Sequence, residues 1–113
     1  MPNLIWSTAL TANQLGQNPL SGWQFEYLPW PAYVRIYQRA TTNGVRAMYF
    51  SGSQTIQQRS PVQGGGTAGV TPAPLNTPGV EFVAGPGDRL IIQNDEVLAG
   101  TPTVDGIIFI DPL

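Results

Sequence analysis

"SPVQGGGTAGVTPAPLNTPG", residues 60–79, carries five glycines, four prolines and no charged side chain. It separates two groups of segments with the alternation of β-strands, so its reading decides the fold. The three strands expected beyond it cannot bury a core by themselves, and must pair with strands that precede residue 60. The stretch is then a long connection inside one domain, not a linker between two. Connections of this length are uncommon unless they are functional or held by a neighbour. Prolines stiffen the backbone and remove donors that would need partners. The expectation is an extended arm lying on a neighbouring subunit or a shell, with a disordered loop as the alternative.

On either side the vocabulary is β-branched and aromatic, cut by Gly, Pro, Asn and Asp. "WQFEYL" (23–28) alternates Trp23, Phe25 and Tyr27 against Gln24 and Glu26, and "PWP" interrupts it because proline donates no ladder bond. "AYVRIYQRA" (32–40) alternates again, with Val34 and Ile36 on one face and Tyr33, Arg35, Tyr37 and Arg39 on the other. "TTNG" (41–44) predicts a hairpin into "VRAMYFSG" (45–52), since Asn-Gly suits the positive φ of a tight turn. "QTIQQR" (54–59), "VEFVA" (80–84), "RLIIQ" (89–93) and "VDGIIFIDP" (104–112) complete seven strands, the last apolar on both faces. An eighth is suggested at Leu4–Trp6. Residues 7–16 alone hold a helix-like turn, with Ser7 as N-cap and Gly16 as stop. The fold expected is an all-β, single-domain sandwich of the jelly-roll type. Residues 1–22 would form an extended N-terminal arm and 23–113 the sandwich, with 60–79 as its long Gly/Pro-rich loop.

Length and composition agree with one domain. The 113 residues suffice for one core, and apolar residues make up 42% of them against 11% charged. A surface this poor in charge suits a protein packed against others. Thirteen glycines and eleven prolines are about twice the usual share. The net charge of −2 argues against a nucleic-acid partner, whose phosphates need a basic surface. No run approaches the about 20 apolar residues of a membrane span, and the N-terminal stretch lacks the pattern of a signal peptide.

Chemistry is scarce. There is no Cys and no His, which excludes the Ser-His-Asp and Cys-His arrangements and thiolate metal sites. "GGGTAG" (64–69) lacks the Lys-Ser/Thr and the following helix of a phosphate loop. "NDE" (94–96) offers calcium ligands without the regular spacing of a dedicated site. The remaining acids, Glu26, Glu81, Asp88 and those beyond, read mostly as turn residues bonding local backbone. No catalytic residue, cofactor or metal is expected. The Tyr33, Arg35, Tyr37, Arg39 stripe has the residue types enriched at interfaces, or is a solvent face with Arg stems over rings. Trp30, Val70 and Leu75 join it as candidate interface residues. Trp23 and Trp30 are either sugar-binding platforms or sandwich core.

"VRAMYFSGSQTIQQRSPV", "NTPGVEFVAGPGDRLIIQN" and the closing "GIIFIDPL" resemble the small decoration, or cement, proteins of tailed-bacteriophage heads. The resemblance covers residues 44–113, while residues 1–31 have no counterpart in it. It implies a β-sandwich made in the host cytoplasm that assembles, often as a homotrimer, on the outside of the virion. Its partners would be the major capsid protein and copies of itself, with no nucleic acid and no membrane. A carbohydrate-binding jelly-roll module of a phage spike and a small carboxylate-dependent hydrolase are the alternatives.

Overall fold

β-Branched and aromatic segments separated by glycine- and proline-rich turns give seven strands in the computed structural model, which describes residues 3–72, 77 and 79–113. They are β1 (Asn3–Ala9), β2 (Ala32–Ala40), β3 (Val45–Ser51), β4 (Gln54–Pro61), β5 (Gly79–Ala84), β6 (Leu90–Glu96) and β7 (Thr103–Pro112). The described residues contain no helix. Two antiparallel sheets form, one in the order β1-β7-β2-β5 and the other in the order β4-β3-β6. The strands after residue 79 pair with those before residue 61: β5 and β7 flank β2, and β6 pairs with β3. Each sheet draws strands from both parts of the chain. The radius of gyration, 13.3 Å, is that of one compact domain of this length.

The core lies between the sheets. One row across the larger sheet runs Leu4, Ile108, Ile36, Val80, and the next runs Trp6, Gly106, Gln38. Val45, Ala47 and Tyr49 of β3 and Leu90 and Ile92 of β6 close the core from the other sheet. Each fully buried Val, Leu or Ile here contributes about 1.5–3 kcal/mol relative to exposure. Gly106 admits the Trp6 ring: a Cβ at this position would stand 2.3 Å from a ring carbon.

One polar contact ties the sheets together through this core. The Gln38 amide donates to the Tyr49 hydroxyl and to Asn94 Oδ1, each at 3.0 Å, and its carbonyl accepts from Asn94 Nδ2 at 2.9 Å. All three residues are buried. Gln38 and Asn94 avoid the desolvation cost of orphaned polar groups in this way, and the contact fixes the relative position of β2, β3 and β6.

Residues 1–22, expected as an arm, contribute β1, the buried Trp6, and Leu10 and Leu20, which are 1% and 0% exposed. Residues 7–9 belong to β1, so the expected helical turn is absent there. The ladder to β7 holds Ser7 and Ala9 opposite Asp105 and Thr103 and overrides the weak local signal. "WQFEYL" is not a strand. Turns run through it, with Trp23 N donating to Leu20 O and Glu26 N to Trp23 O. They direct the Glu26 carboxylate inward to Arg89, 2.8 Å away. Its alternation serves an aromatic cluster instead, in which Phe25 stacks on Trp30 at 5.7 Å and meets Trp23 edge-on at 5.5 Å. This irregular connection also covers the edge of β6, through bridges Gln17–Asn94 and Tyr27–Arg89.

"TTNG" is not a hairpin, because β2 and β3 lie in different sheets. It is a corner of the sandwich, and of Asn43 and Gly44 only the glycine takes positive φ, at 111°. A tight hairpin joins β3 to β4, turning at Gly52 with φ 61°.

The stretch 60–79 lies on its own domain over most of its described length. Ser60 and Pro61 end β4, and Val62 and Pro72 are buried. β5 stops pairing with β2 at Tyr37, which leaves Ala40 without a ladder partner on that side. The loop supplies one: Ala40 N donates to Gln63 O at 2.8 Å, and Gly66 N donates to Ala40 O at 2.9 Å. Further on, Gly69 N donates to the Asp105 carboxylate at 3.1 Å. Residues 73–76 and 78 lie outside the described residues.

Candidate functional site

Alternation along β2 sends Tyr33, Arg35, Tyr37 and Arg39 to the face of the larger sheet that points away from the core. The register then adds residues that the reading of one strand cannot reach. Asn3, Phe109, Arg35 and Glu81 form one row, and Ile5, Ile107, Tyr37 and Gly79 the next. Asp111, Tyr33 and Val83 form a third. The face is built largely of rings and branched aliphatics. Ile5 is 57% exposed and Val83 65%, while Tyr33, Arg35 and Phe109 are half-buried.

The side chains on this face hold one another. The Arg35 guanidinium lies 4.8 Å from the centroid of the Phe109 ring and 3.5 Å from Asp111. Tyr37 meets Phe109 edge-on at 6.4 Å and lies over Gly79, where a Cβ would stand 2.3 Å from a ring carbon. Both Tyr33 and Tyr37 donate their hydroxyls to Glu81. The hydrogen bond to the Glu81 carboxylate pushes the Tyr33 phenol above its ordinary value. Arg39 donates to Gly65 O at 3.2 Å, which ties the stripe to the loop. The result is a pre-ordered surface whose aromatic groups have little freedom left to lose on contact.

The other candidates disperse. Val70 is 60% exposed and follows Gly69, which is bound to Asp105, so it extends the same face. Trp30 is half-buried in the aromatic cluster and packs against the core. Leu75 lies outside the described residues. Ile5, Val83 and Phe109 join the stripe through the register of the neighbouring strands. The alternation of Leu4 and Trp6 against Ile5, and the apolar residues on both faces of "GIIFI", are the signals that point to Ile5 and Phe109.

All seven carboxylates are engaged by groups of this chain. Glu26 takes Arg89, Asp95 takes Gly16 N and Arg59, Asp88 takes Gly85 N and Ser51, and Asp105 takes Gly69 N. Glu96 accepts from the backbone N–H groups of Asn13 and Leu98, each at 3.0 Å. These donors hold its carboxyl below the usual range. "NDE" lies on β6 and not in a loop, so alternation buries Asn94 and Glu96 and turns Asp95 the other way. Among the described residues no three acids gather as a metal site. No helix of the described residues is long and apolar enough to cross a membrane. Comparisons with protein-family models, curated proteins and solved structures found no match to this chain.

Proposed function

We propose that this chain is a virion structural protein, a decoration or cement protein on the outside of a bacteriophage head, with its two sheets wound as a jelly roll. It bridges subunits of the major capsid protein and associates with itself, most readily as a homotrimer. The observation that carries this reading is the outward face of the larger sheet. Ile5, Val83, Tyr33, Phe109 and Arg35 form a continuous, pre-ordered surface of the composition found at the centres of interfaces. Monomers rarely leave broad apolar surfaces in water. The engagement of every carboxylate by structural partners fits a scaffold, as does the scarcity of charge.

The test is mass in solution by light scattering, for the protein alone at micromolar concentration and mixed with capsids. A trimer that co-sediments with capsids and raises their melting temperature is expected. A strict monomer that leaves capsids unchanged would overturn the reading.

A further inference from the structure

A cavity of about 590 Å³ opens at the margin of the sandwich, where β2 and Gly79 of one sheet face β3 and β4 of the other. Its polar lining is Gln38, Asn43, Tyr49, Gln57, Ser60 and Gln63, and among the described residues no ionised group lines it. The volume is that of small-molecule sites, which span roughly 300–1,000 Å³.

Two observations indicate hydrogen-bonding capacity left for a guest. The Tyr49 hydroxyl, on a residue 6% exposed, accepts from the Gln38 amide at 3.0 Å. Gln38 turns its amide nitrogen toward Tyr49, while its carbonyl faces Asn94. Among the described residues nothing accepts the Tyr49 proton, and a buried donor without a partner is costly. Likewise, the carboxamides of Asn43, Gln57 and Gln63 bond no other described group. Each offers a donor and an acceptor side by side.

We propose that this cavity binds a neutral polyhydroxylated ligand of the pyranose or polyol class. A hydroxyl donates and accepts at one atom, so it pairs with a carboxamide in either sense and also accepts from Tyr49. Pro61 and Val62, in the same wall, suit the C–H face of a sugar ring. An anion would lose its hydration with no counter-charge here, and a hydrocarbon would leave the amides unpaired. The Trp23–Phe25–Trp30 cluster takes no part in this site.

The probes are glucose, galactose and N-acetylglucosamine, each titrated into isotope-labelled full-length protein while the side-chain amide signals of Asn43, Gln57 and Gln63 are followed. At least one sugar is expected to shift these signals saturably. Gln57→Leu, a half-buried change on an edge strand, should weaken that binding about tenfold, the effect of one lost hydrogen bond. Tyr49→Phe should do the same while keeping the ring, and Trp23→Ala should leave the affinity unchanged. The proposal is overturned if none of the three sugars moves these amides, or if the shifts fall at Trp23 and Trp30. It is equally overturned if a glycine tripeptide saturates the site and the sugars do not, or if neither cavity variant weakens binding.

Discussion

The two faces of the four-stranded sheet are both rich in apolar residues, yet they are held by different means. The inner face, with Ile36, Ile108 and Ile110, is closed by the second sheet and pinned by the Gln38–Asn94–Tyr49 contact. The outer face, with Ile5, Phe109 and Tyr37, is covered by no sheet of the described residues and organises itself through an Arg–ring contact and a carboxylate shared by two tyrosines. Apolar content alone therefore does not say where the core is. What separates the faces is whether a second layer lies across them.

Deleting methyl groups on each side would test that contrast most severely. Ile108→Ala opens a cavity in the inner face and should cost about 2–5 kcal/mol in urea unfolding. Ile5→Ser, on the outer face, should stay within about 0.5 kcal/mol. Equal losses would mean that the outer face is core. Next comes Gly106→Ala, which drives a methyl into the buried Trp6 ring and should cost about 1–3 kcal/mol with a red shift in tryptophan emission. Gln38→Leu leaves Asn94 and Tyr49 without their shared partner, and thermal unfolding should show a loss of about 1–3 kcal/mol.

Arg35→Glu reverses the contrast. It faces Glu81 across the ladder and removes the contact with Asp111, both at the surface, so the stability loss should be about 1 kcal/mol or less. Self-association, read by sedimentation, should weaken by about tenfold or more if this face is the interface. The smallest effect should come from alkali. Burial pushes the Tyr49 phenol up, and the Glu81 hydrogen bond does the same for Tyr33. A folded-state value above the unfolded one, about 10, means that this contribution is complete below that pH and is lost as pH rises through the folded values. An absorbance titration of Tyr33→Phe should lose one late-titrating phenol and keep that of Tyr49.

How far the sequence reveals these faces depends on the kind of signal. The regular strands from residue 32 onward are legible because short runs rich in β-branched and aromatic residues agree with the ladder, with Val34 and Ile36 of β2 at period two. Trp23, Phe25 and Tyr27 show the same period, yet proline on both sides of Trp30 and the Glu26–Arg89 pair fold that segment into turns. Two long-range facts overrode local readings. Asn43-Gly44 has the composition of a hairpin, but its flanking strands find better partners in opposite sheets. The 60–79 loop carries no local sign that Ala40 and Asp105 will bond it. The stripe itself was legible from β2 alone. Its breadth was not, since Ile5, Val83 and Phe109 reach it only through register, and the amide-lined cavity exists only where separate strands meet.

The place of β7 in the larger sheet also governs how the domain comes to be. β7 is the strand that joins β1 to β2, and it is the last of the seven to leave the ribosome. Until it arrives, β1 has no ladder, and β2 presents a bare edge with Val34 and Ile36 exposed beside it. Closing so long a stretch of chain precedes any reward from the central pairings. Such topologies fold slowly, on the order of milliseconds to seconds. The nascent chain therefore spends its most aggregation-prone interval with the centre of its sheet missing.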